Sequence, residues 1–471
     1  MNKTKIVATI GPASQDKETL KQMIIAGMDV VRLNLTYASY EFCLDIADKI
    51  KALNKELKTN VAIMIDLNGP DIRIGKLNQG KATLRTGDKI RIYMDDIMGD
   101  ETKFSVSYPK LIDEIKYNTN LLLNDARIVL NVVDKELNYI LCEVVTGGEI
   151  ESGEGIHIPD MHLKMPFLST KDKDDILFAH KMHADFLALS YVNSAEDVLK
   201  VNDLLIEIGD DHLGLLAKIE KETAVEDIDE IIKVSDGIIV ARGDLGVEIP
   251  MERIPGIQKS IISKCHLMGK VSLVATEFLS SMETVNRPTR AEVSDVANAV
   301  IDSVDGVMLS GETTIGKYPI ETIIMMEKII GSAEEDINYY ELLDKSMRSE
   351  KQDITGSLVY SVTECANRLK TKAIIAPTMS GYTARKMSRF RPSCPIIAVS
   401  PDENTVKSLA LHFAVRGVLI EEIGNFDKII NVSKRVTKEL IPLERGDKLI
   451  ITGGYPFTEV KHTNFMKIEE I

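Results

Sequence analysis

The sequence predicts an α/β protein: a (β/α)8 TIM barrel, an inserted all-β, barrel-like domain and a C-terminal doubly wound α/β domain. The barrel prediction rests on eight short apolar runs, most of them followed by a stretch with helical periodicity. The runs are continuously apolar rather than alternating, which is typical of parallel strands buried on both faces. They cover residues 4–10, 29–34, 60–66, 185–190, 214–219, 237–241, 270–276 and 306–310.

One helix between these strands carries a clear start signal. Thr289 and Glu292 form the pattern of a capping box just after Pro288. Apolar residues then recur at helical spacing, so we predict a helix over 289–302.

The long gap between the third and fourth strands indicates an insertion. Segments 81–94 and 126–145 alternate apolar and polar residues between Gly and Asn turns, which predicts a small β domain that could close over the strand ends. After a charged stretch near residue 338, a second α/β pattern has strands at 372–377, 394–400, 416–421, 447–453 and 464–470. We expect the barrel at 1–70 and 168–338, the insert at 71–167 and the C-terminal domain at 339–471.

Composition narrows the functional class. The 471 residues are 44% hydrophobic and 27% charged, with a net charge of −15, so neither nucleic acid nor an anionic membrane is expected as the main partner. No apolar run reaches the ~18 residues of a membrane span, and the first residues lack the form of a signal peptide. We expect a soluble, cytoplasmic protein whose scattered cysteines are reduced structural thiols. These are Cys43, Cys142, Cys265, Cys365 and Cys394.

The strand ends carry the candidate chemistry, because a barrel of this kind builds its site at the carboxyl ends of its strands. Lys218 and Glu220 lie two apart at the end of the fifth strand, and Asp244 follows the sixth. Carboxylates without neighbouring His or Cys suit a hard cation such as Mg²⁺ or Mn²⁺. The alternative interpretation is a Lys218–Glu220 salt bridge with Asp244 as a helix cap.

Cationic side chains also belong to the strand ends of this acidic protein. Arg32, Arg73 and Lys218 would form a pocket for a phosphorylated substrate. A second group offers only oxygen atoms and could hold a monovalent cation: Asn34, Thr36 and Asp66. The residues alone predict metal-dependent chemistry on a small anionic substrate.

Seven motifs together resemble the pyruvate kinase family over the whole chain. They are ATIGPAS (8–14), GMDVVRLN (27–34), GPDIRIG (69–75), AKIE (217–220), DGIIVARGDLGVEIP (236–250), RPTRAEVSDVANAV (287–300) and MLSGET (308–313). The resemblance implies transfer of a phosphoryl group from phosphoenolpyruvate to ADP, which gives pyruvate and ATP. It also implies assembly as a homotetramer.

The resemblance assigns roles by position. It implies three catalytic residues, Lys218, Arg32 and Thr276. Phosphoenolpyruvate would contact Arg32, Gly243, Asp244 and Thr276. The nucleotide would contact Arg73, Asn34, Pro12 and Lys171. Glu220 and Asp244 would bind Mg²⁺ or Mn²⁺, and a second divalent ion would arrive with ADP. K⁺ would be held by Asn34, Thr36, Asp66 and the backbone carbonyl of Leu67.

A loop in the C-terminal domain resembles the family's site for a sugar-phosphate activator. The hydroxyls and N–H groups at this helix start suit a phosphate, from a sugar phosphate or AMP. The alternative is plain helix capping. The effector residues would be Thr378, Ser380, Gly381 and Thr383.

The sequence departs from the family pattern mainly around the expected nucleotide face. Tyr37 and Ala38 stand where the family has His and Gly. Three positions where the family has Lys are here Asn68, Ile315 and Glu154. In addition, Glu277 stands in place of a Gln, and Asp71 in place of a Glu that is one methylene longer. These changes motivate two alternatives: a catalytically weak regulatory paralogue, and a metal-dependent barrel lyase acting through an enolpyruvate. Dependence on ADP separates the kinase from both.

Overall fold

The structure, a computed structural model, describes residues 2–124, 126–159, 161, 164–349, 353–422, 425–456 and 462–471. The first barrel units are β1 (Lys5–Thr9), α1 (Lys17–Ile25), β2 (Val30–Asn34), α2 (Tyr40–Leu57) and β3 (Ala62–Asp66). Both helices begin at a side-chain cap, because Asp16 and Ser39 each accept a backbone N–H from the first turn.

The insertion follows β3 and forms its own hydrophobic core. Its elements are β4 (Ile72–Arg73), a 3₁₀ turn (Asn78–Gly80), β5 (Lys81–Leu84), β6 (Lys89–Tyr93), β7 (Lys103–Ser105), α3 (Leu111–Glu114), β8 (Asn120–Leu123), β9 (Ile128–Lys135), β10 (Tyr139–Thr146), β11 (Gly148–Glu151) and β12 (Gly155–Ile156). The main sheet has the order β7-β6-β10-β9-β8, and β11-β5 and β12-β4 form two smaller sheets. The short helix α3 was not predicted.

The chain then returns to the barrel. The remaining units are α4 (Thr170–Lys181), β13 (Phe186–Leu189), α5 (Ala195–Ile208), β14 (Gly214–Ile219), α6 (Glu222–Glu226), α7 (Ile228–Val234), β15 (Gly237–Ala241), α8 (Arg242–Glu248), a 3₁₀ turn (Met251–Arg253), α9 (Ile254–Met268), β16 (Val271–Ala275), a 3₁₀ turn (Ser280–Glu283), α10 (Arg290–Ile301), β17 (Gly306–Leu309), α11 (Gly311–Thr314) and α12 (Pro319–Glu335). The predicted capping box of α10 is confirmed, with both reciprocal hydrogen bonds between Thr289 and Glu292.

All eight predicted strands form and close into one parallel barrel. The order is β1-β2-β3-β13-β14-β15-β16-β17, and β17 pairs back with β1. The register places Asn34 beside Asp66 at the ends of β2 and β3. Because all strands run in the same direction, their polar terminal residues gather at one mouth.

The C-terminal part forms a separate sheet covered by helices. Its elements are α13 (Tyr339–Ser349), α14 (Ile354–Leu369), β18 (Ala373–Pro377), α15 (Tyr382–Arg389), β19 (Ile396–Ser400), α16 (Glu403–Ser408), β20 (Val415–Leu419), α17 (Phe426–Leu440), β21 (Lys448–Gly453) and β22 (Phe465–Glu470). The order β20-β19-β18-β21-β22 is that of a doubly wound sheet with one antiparallel edge strand. Apolar cores lie on both of its faces, as predicted. The exact domain limits stay a prediction.

Two further expectations concern the cysteines and membranes. All five cysteines are free, and four of them are buried. A membrane-spanning helix would need a length and apolarity that no helix of the described residues has.

Candidate active site

Four charged side chains meet at the barrel mouth. Arg32 on β2 donates from Nε to Oδ2 of Asp66 at 2.6 Å. Lys218 on β14 places Nζ 2.9 Å from Oε1 of Glu220 and 3.4 Å from Oδ1 of Asp66. All four are buried. The predicted strand-end residues therefore form a continuous ion cluster, and Lys218 and Glu220 point to the same side, as their spacing indicates.

Two hydroxyl groups complete the cluster. Ser190, after β13, accepts a hydrogen bond from Lys218 at 2.8 Å, and its Oγ lies 3.1 Å from Oδ1 of Asp66. Thr9, at the end of β1, accepts from Nη1 of Arg32 at 2.8 Å. These contacts fix both cations in place, so their charges are oriented before any substrate arrives.

Burial and neighbouring charges act against each other on the ionised groups. Burial alone lowers the pKa of Lys218, but the carboxylates of Asp66 and Glu220 outweigh it and raise the pKa above its ordinary value. Burial raises the pKa of Asp66, yet Arg32 and Lys218 bring it below the usual range. Lys218 therefore stays an ammonium ion, and Asp66 a carboxylate, at neutral pH.

Glu220 behaves differently from Asp66. Burial raises its pKa, Lys218 opposes that shift, and the carboxylate of Asp244 raises the pKa further. The backbone N–H of Tyr191 donates to Oε2 of Glu220 at 2.5 Å. Two carboxylates that disfavour each other's charge in a buried site fit a divalent cation.

The alternative interpretation of these residues is partly correct. The Lys218–Glu220 salt bridge exists, but Asp244 does not cap the helix, because Ala241 is the N-cap of α8 and Asp244 lies in its first turn. The described residues contain no group of three or more His, Cys, Asp or Glu placed to hold a metal. A divalent ion at Glu220 and Asp244 would need further oxygen ligands from substrate or water.

Thr276 connects the ends of β15 and β16. Its Oγ1 accepts the backbone N–H of Gly243 at 2.9 Å and donates to the carbonyl of Ala275 at 2.6 Å. Thr276 has φ of +73°, a left-handed conformation that costs energy for a β-branched residue. Arg242 holds it there by donating from Nη2 to its carbonyl oxygen at 2.6 Å.

The predicted monovalent-cation residues lie on the adjacent side of the mouth. Asn34 Oδ1 accepts the backbone N–H of Thr36 at 3.0 Å. The Thr36 hydroxyl donates to Oδ1 of Asn68 at 2.5 Å. The carbonyl of Leu67 lies 2.7 Å from the Ser190 hydroxyl. The structure thus brings these oxygens near the ion cluster through Asp66 and Ser190.

Three of the predicted nucleotide residues, Arg73, Lys171 and Pro12, lie on the rim of the mouth, whereas Asn34 ends β2 beside Asp66. Arg73 is held by Oδ2 of Asp71 at 2.6 Å and by the carbonyl of Gly153 at 2.9 Å. Lys171 lies 3.6 Å from Oδ2 of Asp175, and Pro12 is exposed.

The altered positions around this rim differ in exposure. Tyr37 and Ile315 are 86% and 69% exposed, whereas Glu154 bonds within the insert by accepting the N–H of Glu151 at 2.9 Å. Tyr37 and Ile315 therefore change the solvent-facing surface, and Glu154 belongs to a turn of the inserted domain.

The effector loop begins α15 without a side-chain cap. Gly381 is the N-cap, with φ of +75°, and among the residues that the structure describes no hydroxyl caps the helix. The plain-capping interpretation is therefore wrong. Thr378 and Thr383 are buried, Ser380 is exposed, and Thr383 pairs with the hydroxyl of Thr463 at 3.0 Å. The facing loop near Tyr455 lies partly outside the described residues.

Several residues that contact the site were not predicted from the sequence. Thr9, Ser190, Tyr191 and Arg242 all lie at barrel strand ends. Their position after an apolar run was a usable signal. Their residue types were not, because a Ser or Tyr after a strand is most often an ordinary surface residue.

Comparison with known proteins agrees with this architecture. Residues 1–323 match the family model of the pyruvate kinase barrel domain, and residues 356–469 match that of the pyruvate kinase alpha/beta domain. A pyruvate kinase of Clostridium perfringens (strain 13 / Type A) is 40% identical over 474 residues, which span 100% of both chains. One from Geobacillus stearothermophilus is 40% identical over 471 residues, covering 100% of this chain and 80% of that protein.

A solved structure gives the same result. The crystal structure of a pyruvate kinase from Cryptosporidium parvum superposes with a TM-score of 0.92 at 34% identity, covering 100% of this chain and 96% of that one. The chain therefore belongs to the pyruvate kinase family, whose members are phosphotransferases.

Proposed function

We propose that phosphoryl transfer from phosphoenolpyruvate to ADP takes place at the ion cluster, with Lys218 as the central catalytic residue. The observation that carries this proposal is the buried Lys218 ammonium, 2.9 Å from Glu220 and 3.4 Å from Asp66 at the barrel mouth. A fixed positive charge in a water-poor site stabilises charge that moves between two substrates.

The reaction needs one bond exchange and one proton. The bond between phosphorus and the enol oxygen breaks, and a bond forms between phosphorus and a terminal phosphate oxygen of ADP. The enolate of pyruvate then takes a proton at carbon. Arg32 and Lys218 would hold phosphoryl oxygens during the exchange, because both point charges are anchored by Asp66.

Glu220 and Asp244 would hold Mg²⁺ or Mn²⁺. The raised pKa of Glu220, caused by burial and by the Asp244 charge, supports this assignment, because a cation would relieve that repulsion. When bound, the ion supplies positive charge beside the phosphoryl group and the enolate oxygen.

Thr276 would bind substrate and take part in the proton relay. Its hydroxyl oxygen now accepts the Gly243 N–H, the donor expected to receive the substrate carboxylate. A carboxylate there would replace the hydroxyl as acceptor and leave the Thr276 hydroxyl free to reorient. The strained backbone of Thr276 is consistent with a residue held for function.

K⁺ would be held by Asn34, Thr36, Asp66 and the carbonyl of Leu67. The hydrogen bond from Thr36 to Asn68 supports this, because the hydroxyl donates its proton away and keeps its lone pairs for a cation. Asn68, one of the altered positions, would thereby orient a K⁺ ligand.

The nucleotide, the effector and the assembly are proposed by likeness to the family. ADP would lie along the rim residues Arg73, Asn34, Pro12 and Lys171. A sugar phosphate or AMP would bind at the N-terminus of α15, where Gly381 leaves the first N–H groups without a side-chain cap. The enzyme would assemble as a homotetramer.

The test is pyruvate release from phosphoenolpyruvate with Mg²⁺ and K⁺, measured with and without ADP. We expect rapid turnover only with ADP, and a large loss in Lys218→Met. Pyruvate formation from oxaloacetate without ADP would instead identify a lyase. Binding of phosphoenolpyruvate without turnover would identify a regulatory paralogue. Either outcome would overturn the proposal.

A further inference from the structure

Tyr191 has a strained backbone directly beside the ion cluster. It follows Ser190 at the end of β13 and has φ of +56°, in the left-handed region that bulky residues avoid. Such a conformation persists only when its surroundings hold it, and it is most frequent at functional sites. Ser190 reaches Lys218 through its hydroxyl, and Tyr191 reaches Glu220 through its backbone.

The Glu220 carboxylate is held at both oxygens. Oε1 lies 2.9 Å from Nζ of Lys218, and Oε2 accepts the N–H of Tyr191 at 2.5 Å. A rotation of the carboxylate would break one of these two contacts. The position of the Tyr191 backbone therefore sets the direction in which Glu220 presents its oxygens.

The Tyr191 ring lies where the inserted domain joins the barrel. The ring of His157, on the returning connector, is 6.4 Å away between centroids, with the planes at 56°. Nζ of Lys221 lies 5.5 Å from the Tyr191 ring centroid on the barrel side. The His157 backbone exchanges hydrogen bonds of 2.8 and 2.9 Å with Leu122 inside the inserted domain.

A cavity of about 260 Å³ occupies the same junction. Both connectors line it, residues 70–72 on the way out and 155–158 on the way back, and Tyr191 forms part of its barrel side. A shift of the inserted domain would therefore move the surroundings of the Tyr191 ring before it moved any residue of the ion cluster.

We propose that Tyr191 is a positioning residue that couples the inserted domain to Glu220. Its ring, packed at the connector, keeps the strained backbone N–H on Oε2, so that Glu220 is oriented for a divalent cation before substrates bind. This inference rests on the proposed function, because it assumes that Glu220 binds the cation.

The first test measures Mn²⁺ binding to the full-length enzyme without substrates, by electron paramagnetic resonance of free Mn²⁺. Tyr191→Ala is expected to weaken binding about tenfold, the usual cost of losing a group that orients a metal ligand. Tyr191→Phe keeps the ring and should bind within about twofold of wild type. Tyr340→Ala, an exposed tyrosine of the C-terminal domain, is the matched control and should change nothing.

Two further variants keep the outcome decisive. Tyr191→Gly removes both the ring and the restriction on φ, so nothing keeps its N–H on Oε2, and it carries the same expectation if Tyr191→Ala does not fold. His157→Ala, on the other side of the ring contact, should weaken Mn²⁺ binding in the same direction but less. In turnover assays, Tyr191→Ala should raise the Mg²⁺ concentration needed for half activity and leave the KM for ADP unchanged.

Glu220→Gln separates failure of this inference from failure of the proposed function. If Glu220→Gln binds Mn²⁺ as wild type does, the assignment of the metal ligand is wrong. If Glu220→Gln loses binding while Tyr191→Ala and Tyr191→Gly retain it, the coupling through Tyr191 is wrong and the metal site stands.

Discussion

The two ends of the barrel each contain a buried cluster of charges, and the clusters are built for different purposes. At the mouth, Arg32, Asp66, Lys218 and Glu220 form the candidate active site. At the opposite end, Arg391 of the C-terminal domain donates from Nη1 to Oδ1 of Asp305, just before β17, at 2.6 Å. Arg391 is only 2% exposed, and its guanidinium carbon Cζ lies 4.5 Å from the centroid of the Phe413 ring.

Asp305, at the opposite end, and Glu220, at the mouth, differ in how fully their carboxylates are neutralised. Oδ2 of Asp305 accepts both the N–H and the hydroxyl of Ser272, and Oδ1 accepts from Arg391 and from the N–H of Phe413. Burial raises the pKa of Asp305, but Arg391 and these hydrogen bonds bring it below the usual range. At the mouth, the pKa of Glu220 stays raised, by burial and by Asp244.

The difference shows how equal burial can serve structure or function. A carboxylate with a complete set of donors has no need of a ligand and locks two domains together. A carboxylate beside a second carboxylate is under-neutralised and is ready for a cation. Substitutions at the mouth should therefore reduce activity more than stability, and substitutions at the opposite end should do the reverse.

Lys218→Met should have the largest effect. Removing the fixed charge should lower kcat about 10³-fold, at the upper end of the loss seen when one stabilising donor is removed. The free energy of unfolding should fall less than in Arg391→Met, because Arg32 still neutralises Asp66 and because Glu220, whose pKa is already raised, can take up a proton once the ammonium is gone. Steady-state kinetics and urea denaturation measure the two quantities. A loss below about 100-fold would contradict the central role of Lys218.

Arg391→Met should destabilise the protein by about 3–5 kcal/mol, because it leaves the buried Asp305 carboxylate without its cation. The double variant Arg391→Met/Asp305→Asn should recover part of that loss, since no unpaired charge remains. Urea denaturation checks both variants, and the KM for phosphoenolpyruvate serves as the control. A wild-type unfolding midpoint for Arg391→Met would show that this ion pair does not lock the domains.

The cluster opposite the mouth should also make stability depend on pH, because His412 lines the same small cavity as Asp305 and Arg391. Burial lowers the pKa of His412 to about 3, so the histidine is neutral when folded and takes up a proton below pH ~6.5 when unfolded. The unfolded state then binds more protons, so stability is complete above pH ~6.5 and falls on acidification. His412 should contribute a loss of about 2 kcal/mol between pH 7 and 5.

Urea denaturation of wild type and His412→Gln at both pH values isolates this contribution, because other titrating groups cancel in the comparison. His412→Gln should lose about 2 kcal/mol less than wild type over that range. If both proteins lost the same stability between pH 7 and 5, burial would not lower the pKa of His412 as the structure indicates.

A matched pair of serine substitutions gives the smallest and sharpest comparison. The hydroxyl of Ser190 lies 3.1 Å from Oδ1 of Asp66 in the cluster at the mouth. The hydroxyl of Ser272 lies 3.0 Å from Oδ2 of Asp305 in the cluster at the opposite end. Ser272→Ala should cost about 1–2 kcal/mol of stability without changing kcat. Ser190→Ala should lower kcat about tenfold, because Lys218 loses its hydrogen-bond acceptor. Equal effects on kcat would remove the proposed distinction between the clusters.

Much of the fold was predictable because each barrel strand is a continuous apolar run, and this pattern does not depend on which strand it pairs with. The strand ends, the capping box of α10 and the insertion after β3 follow from local pattern. Lys218 and Glu220 could be paired from their spacing on one strand. Asp244 could be placed near them as a candidate metal ligand, and the alternative that it caps a helix is wrong because Ala241 is the N-cap of α8.

The sequence by itself determined the strands, their order of appearance and the charged residues at their ends, because these depend on neighbours along the chain. Only the tertiary structure decided which of those residues touch. Ser190, at the end of β13, accepts a hydrogen bond from Lys218 on the neighbouring strand β14. Arg391 pairs with Asp305, which lies 86 residues away in the sequence. Such pairs follow from barrel closure and domain packing, which bring distant segments together, and no local periodicity encodes which partner each buried charge will find.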